Sequence, residues 1–341
     1  MPTPGVRPSS MISHLHQINP MSTMYCLILA VLTLVNLSPT TFATNGLVLR
    51  NPHFLGANGF NPYVGMTSFF SKPNAHTVSK VTFIRPGDFK PQGQGKTFIV
   101  LDNDGVLIKG KEDFDKARLL LTALAANQNN EVWVNTARGL KGLEPYMDIP
   151  HLNIAAEHGT VLRISPPGQG KIELRALHPS VPDLRKEMLG LVPKYKDQYG
   201  MKVFPAENLA AYMYKDEHKG TFENIVVSEV REILTRYPDY MLRLEPPGAY
   251  GEVKHKEANK GTLVAHLLQA NTYTDGIAIG DQETDEGMFR AMVWANDAGL
   301  GFFHTVIVKD KILKDDPHTH TSAQYRLKTV QDVHNLLKSF L

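Results

Sequence analysis

Two aspartates one residue apart, Asp102 and Asp104, close the apolar segment Thr97-Phe-Ile-Val-Leu-Asp-Asn-Asp-Gly-Val-Leu107. A run that apolar and β-branched suits a buried strand, and its C-terminal end would carry both carboxylates into a loop. Carboxylates so close repel unless something cationic sits between them. A divalent cation together with a phosphate group would offset that repulsion, which points to phosphoryl chemistry. The same residues also suit an Asx-rich turn, because Asp-Gly and Asn-Asp are good turn formers.

Three further segments offer chemistry of the same kind. Asn135-Thr-Ala-Arg138 places a hydroxyl just past a second apolar run. Asn259-Lys-Gly261 places a lysine at the start of a helical pattern. Gly280-Asp-Gln-Glu-Thr-Asp-Glu-Gly-Met-Phe289 sets Asp281 and Asp285 after a further apolar run. Each has a plain structural explanation by itself. A lysine opening a helix is usually solvated, Thr136 could cap a turn, and Asp281 and Asp285 would favour a helix N-terminus. All four in order, each after a strand-like run, outweigh those explanations.

The elements that would position them follow from periodicity. Strands are expected at 97–102, Glu131–Asn135, Leu152–Ala156, Gly276–Gly280 and, as the last one, Thr305–Val308. Helices are expected around Phe114–Asn127, where Ala117, Leu120, Leu121 and Leu124 recur at helical spacing, and over Lys260–Ala270. Alternation of this kind argues for an α/β fold, a parallel sheet with helices on both faces. Ligands bind such sheets beyond the strand C-termini, which gathers Asp102, Thr136 and Asp281 at one edge. Residues 173–250 break the alternation, with helical patterns at Asp183–Lys196 and Thr221–Tyr237 and strand patterns at Gly200–Lys215 and Tyr240–Leu244. They read as an inserted α+β cap between core segments 96–172 and 251–341.

Composition excludes several classes. With 36 basic and 34 acidic side chains in 341 residues, nothing argues for nucleic acid or an anionic membrane surface as partner. A monomer acting on a small molecule is expected. The single cysteine, Cys26, lies in the apolar run Met24–Leu37, so disulfides and thiolate metal sites are excluded from the rest. That run has the length of a signal-peptide core rather than of a membrane span. Thr41-Phe-Ala43 offers a cut after Ala43, so residues 1–43 read as a signal peptide or signal anchor and the destination as the secretory pathway. A buried helix in a cytoplasmic protein is the alternative. Residues 44–95, rich in Gly, Pro, Asn and Ser, read as an irregular extension.

The four segments together resemble the haloacid dehalogenase superfamily of phosphotransferases, and within it the trehalose-6-phosphate phosphatase family. The family's Asp-x-Asp-Gly-Thr-Leu is met except at Val106, and its Ser-Gly-Arg stands as Thr136-Ala137-Arg138. Its Ala-Glu-His-Gly is intact as Ala156-Glu-His-Gly159, and its Lys-Gly is Lys260-Gly261. Its Gly-Asp-Asp-x-Thr-Asp-Glu-x-Met-Phe is kept at 280–289 with Gln282 as the one change. The resemblance implies a Rossmannoid core with a cap and a phosphatase, with trehalose-6-phosphate the leading substrate. Asp102 would be the nucleophile and Asp104 the acid and base. Thr136 and Lys260 would bind the transferring phosphoryl group. Mg²⁺ would be held by Asp102, the Asp104 carbonyl, Asp281 and Asp285. Arg138, Glu157 and His158 would lie on the substrate side.

The cap departs from the family pattern. With Tyr214 set against the family tyrosine, Phe204 and Ala206 stand where sugar-binding Glu and Lys are expected, Met213 replaces His, and Lys215 replaces Arg. A family strand, Val-Glu-x-Arg-Pro, is read as Leu242-Arg-Leu-Glu-Pro246, followed by a long solvated loop carrying Lys254, His255 and Lys256. Two expectations follow. Either relocated groups such as Glu207, Lys215 and Arg243 hold trehalose-6-phosphate, or the pocket takes another sugar phosphate or small phosphorylated metabolite. Rival classes are a catalytically idle secreted binding protein of the same fold and a phosphomutase.

Overall fold

Strand-forming segments separated by amphipathic helices assemble a nine-stranded sheet in the computed structural model, which describes residues 76–85, 88–89, 95–168, 170–175, 180–244, 249–310 and 320–341. The apolar run 24–37 and most of 44–95 lie outside the described residues. The sheet order is β2 (Thr82–Phe83), β15 (Tyr325–Leu327), β13 (Phe302–Val308), β12 (Asp275–Gly280), β3 (Thr97–Leu101), β4 (Asn130–Asn135), β5 (Leu152–Ala156), β6 (Val161–Ile164) and β7 (Ile172–Arg175). Pairing is parallel from β2 to β5 and antiparallel from β5 to β7. Thr305–Val308 is therefore not the last strand, since Tyr325–Leu327 pairs beside it. Three residues in a polar segment leave too short a period to read. A two-residue ribbon joins β1 (His76–Thr77) to β14 (His320–Thr321).

Every residue of β3 is buried, and successive side chains enter opposite layers. Ile99 and Leu101 meet α1 (Phe114–Ala126) and α6 (Val330–Leu337) through Leu121, Leu124, Val333 and Leu337. Phe98 and Val100 meet α4 (Lys260–Ala270) and α5 (Glu286–Asp297) through Val264, Leu268, Met288 and Phe289. The chain leaves β3 toward β4 and β5 on one side, while β12, β13 and β15 follow on the other. The β3–β12 border is thus the topological switch point, where such sheets open a crevice beyond the strand ends.

The middle of the chain makes a second, four-stranded antiparallel sheet in the order β10 (Tyr240–Leu244), β11 (Tyr250–His255), β9 (Leu209–Met213) and β8 (Lys202–Pro205). One face packs on α2 (Val181–Tyr199) and α3 (Glu223–Leu234) around Leu184, Met188, Tyr212, Val226 and Val253. The segment 250–255, read as a solvated loop, is the second strand of this sheet. Its charges misled the reading: Glu252 and His255 are buried by tertiary partners.

Candidate active site

Asp102 follows β3, Thr136 follows β4, and Asp281 follows β12, so one sheet edge carries all three. Lys260 arrives from another direction, as the first residue of α4. The Asn259 side chain caps that helix, its Oδ1 accepting from Gly261 N at 2.7 Å. Gly261 is required there, because a Cβ would strike the backbone of Gly287 in α5. That close approach lets the buried Lys260 ammonium donate to Asp285 Oδ1 at 2.6 Å and contact Asp102 Oδ1 at 2.9 Å. Asp285 Oδ2 accepts from the Asp281 and Gln282 amides at 2.9 and 3.0 Å, tying down the acidic loop. Gly105, at φ +74°, brings the Asp102–Asp104 loop against Asp281, whose carboxylate would collide with any Cβ.

Burial raises the Asp102 pKa to about 7; the Lys260 charge opposes the rise and Asp285 adds to it. Burial works against the Lys260 charge, but the attraction of Asp102 and Asp285 outweighs it and holds the pKa above the usual lysine value. Beside them, Arg138 Nε and Nη2 clamp Asp104 at 2.6 Å each, a bidentate pair.

Oxygen atoms of Asp102, Asp281 and Asp285 lie within 4.8 Å of one another. An all-carboxylate set suits a hard divalent cation. Asp285 commits both oxygens to Lys260 and the loop amides, so Asp102 and Asp281 are the better ligands and Asp285 organises them.

The cap sheet turns its other face to this floor across a chamber of about 1020 Å³. Phe204, Ala211, Glu252 and Arg243 are cross-strand partners in one row of that face. Glu252 is buried and accepts from His158 Nε2 at 2.8 Å. Burial pushes the His158 pKa down; burial also opposes the Glu252 charge, but His158 outweighs that and lowers its pKa. Arg243 Nη2 donates to Gln282 Oε1 at 3.1 Å, so the one motif change in the acidic loop binds the cap. The cap lines the chamber with Val203, Phe204, Ala206, Leu209, Ala211 and Tyr250, and with the charged Arg185, Glu207, Arg243 and Glu252.

No family model matches the chain. Over 215 residues it is 26% identical to the trehalose-phosphatase of Schizosaccharomyces pombe (strain 972 / ATCC 24843), an overlap of 60% of this chain and 25% of that protein. The chain thus spans about a quarter of that relative's length. Its fold is shared with the C-terminal domain of C. albicans trehalose-6-phosphate phosphatase, at TM-score 0.59 and 17% identity over 78% of this chain and 98% of that domain. It is shared equally with the C-terminal domain of the Candida albicans trehalose synthase regulatory protein, at TM-score 0.60 and 14% identity over 76% and 99%. The fold is also that of a haloacid dehalogenase-like hydrolase from Bacteroides thetaiotaomicron, at TM-score 0.50 and 14% identity over 72% of this chain and 100% of that one, and the sequence is similar to the trehalose-phosphatases. A fold found in both a phosphatase and a regulatory protein leaves activity to the site.

The structure brings Asp102, Asp104, Thr136, Arg138 and Lys260 to the chamber floor, with Glu157, Glu207 and Arg243 around its rim. It does not bring Lys215, which is exposed and pairs with Glu217 at 3.6 Å. His158 is buried, absent from the chamber lining, and bound through Nε2 to Glu252 of the cap. Glu157 spends its carboxylate on the cap as well, accepting from Glu207 N at 2.8 Å and Asn208 N at 2.6 Å. Glu252 was missed by the sequence reading, which looked for this acid at 242–246. Its position on the strand leading into Lys260 was the available signal. Glu157 and His158 themselves sit at φ 51° and 58°, a left-handed backbone costing roughly 1–3 kcal/mol per non-glycine residue.

Proposed function

We propose that the chain is a Mg²⁺-assisted phosphomonoesterase with an aspartate nucleophile. The observation that carries this reading is Lys260 bridging Asp102 and Asp285 at the switch point, with Asp281 alongside. The Asp102 carboxylate attacks phosphorus and the P–O bond to the alcohol breaks, leaving an aspartyl-phosphate. Asp104, oriented by Arg138, gives the departing alkoxide its proton and then takes one from the water that hydrolyses the acyl phosphate. Thr136 and Lys260 offset charge on the phosphoryl oxygens. Mg²⁺ held by Asp102 and Asp281 would add charge neutralisation at the same oxygens. Such a set of buried charges costs too much to accumulate in an idle fold without a function.

The names of the sequence relatives make trehalose-6-phosphate the first substrate of this reading. Phe204 and Ala206 in the roof favour a second: another sugar phosphate or small phosphorylated metabolite, because sugar hydroxyls need placed polar partners and neither side chain offers one. Phosphate release from a panel of phosphomonoesters, with and without Mg²⁺, tests both, with Asp102→Asn as control. Release from no ester would return the idle-binding reading. For the apolar run 24–37 we propose a secretory signal cleaved after Ala43, read out by N-terminal sequencing of the mature protein; a mature chain still carrying residues 24–37 would overturn the cleavage.

A further inference from the structure

The turn Glu157-His158-Gly159 is the one place among the described residues where three successive residues hold a left-handed backbone, at φ 51°, 58° and 86°. Two of them are not glycine, so tertiary contacts must impose the conformation. On its core side the turn is tied to the phosphoryl-binding loop: His158 N donates to Thr136 O at 2.9 Å and Glu157 N to Arg138 O at 3.0 Å. Thr160 closes it, Oγ1 donating to Glu157 O at 2.9 Å. On its other side every polar side-chain group reaches the cap. Glu157 accepts the two amides of the β8–β9 hairpin, His158 donates to Glu252 of β11, and Thr160 Oγ1 accepts from Asn208 Nδ2 at 3.3 Å. Glu157, His158, Thr160, Asn208 and Glu252 are all buried, so these bonds are shielded from water. The left-handed turn aims two adjacent side chains at two separate parts of the cap, the turn between β8 and β9 and strand β11.

We propose that Glu157-His158-Gly159 is a latch that couples occupancy of the Thr136–Lys260 phosphoryl site to closure of the cap, making Glu157 and His158 positioning residues for the leaving group. Ligation of Thr136 and Arg138 stiffens the carbonyls that hold the turn, and the turn then holds the cap. The coupling is reciprocal: a cap closed on the leaving group stabilises the phosphoryl loop. This inference rests on the phosphatase reading for its kinetic test and on geometry alone for its binding test.

The kinetic test compares an ester large enough to fill the chamber, trehalose-6-phosphate or whichever panel member is cleaved best, with acetyl phosphate, which the floor can handle without the cap. Glu157→Ala is expected to lower kcat/KM for the large ester by roughly 10- to 100-fold, the scale of lost charge-assisted hydrogen bonds, and to leave acetyl phosphate within about twofold. His158→Leu is expected to do the same, and His158→Gln, which can still donate to Glu252, to recover most of the loss. Equal losses on both substrates, as from a smaller folded fraction, would overturn the latch, and so would no loss on either. Failure of the wild-type chain to cleave any ester would instead overturn the phosphatase reading. The binding test needs no variant. Orthovanadate bound to the wild-type chain is expected to slow hydrogen exchange at the Glu207 and Asn208 amides by about fivefold or more; unchanged exchange there, with vanadate bound, would overturn the coupling.

Discussion

The floor and the roof of the chamber are built on opposite plans. On the floor, charged groups converge from β3, β12, α4 and the acidic loop, and nearly every oxygen of Asp102, Asp104 and Asp285 has a named partner. On the roof, Glu252 is hydrogen-bonded to His158, while Phe204 remains 46% exposed. The difference separates two tasks. In the proposed reaction the floor takes the phosphoryl group whatever alcohol carries it, whereas the roof meets only the alcohol. An apolar surface left open beside a charged floor lowers its free energy by covering itself with part of a ligand.

The comparison can be broken at the floor first. Asp102→Asn is expected to lower phosphate release by at least about 10⁴-fold, since a nucleophile has no substitute; comparable release by the variant would remove Asp102 from the reaction. Next comes Lys260→Met, expected to cost about 10³-fold in turnover and, by stranding two buried carboxylates, roughly 3–5 kcal/mol of stability in denaturant titration. A variant as stable as the parent would show that the ion triad is not what holds β3 to α4.

The roof is sharpened by a smaller change. Phe204→Glu combined with Ala206→Lys gives it the polar pair it lacks. We expect the ratio of kcat/KM for glucose 6-phosphate over benzyl phosphate to rise roughly 10- to 100-fold. Both esters release a primary alcohol, so the ratio reads binding of the leaving group rather than its acidity. An unchanged ratio would mean that this face does not meet the substrate.

The smallest effect is one of pH. Burial holds the metal-free Asp102 carboxyl near pKa 7, so at pH 6 it is mostly protonated and must lose its proton to bind a cation. The pKa is raised, so the sign is that affinity for Mg²⁺ grows as pH rises toward that value. We expect calorimetry to show an apparent Kd about fivefold tighter at pH 7 than at pH 6, levelling off above pH 8. A Kd independent of pH over that range would place the titrating group elsewhere.

Much of the floor could be read from the chain because its chemistry is local. Each motif is a strand end plus the few residues after it, and burial of β3, β4, β5 and β12 follows from their apolar runs. The expected helix Lys260–Ala270 and strand Leu152–Ala156 match the observed bounds. The roof could not be read this way. Its decisive row runs across four strands, Phe204 to Ala211 to Glu252 to Arg243, and cross-strand partners carry no fixed sequence spacing. Hence Lys215 looked like a ligand but faces away, and Glu252 looked like part of a solvated loop but is buried.

By itself, then, the sequence determined the central strands β3, β4, β5 and β12, the four chemical segments and the identity of the atoms they carry, because those depend on neighbours in the chain. Only the tertiary structure decided how these atoms divide their work. Glycine contacts between α4 and α5 bring Lys260 to two carboxylates, and a strained turn ties the Glu157 and His158 side chains to the cap by hydrogen bonds. Both outcomes hang on distances between elements far apart in the chain, and such distances are set by packing.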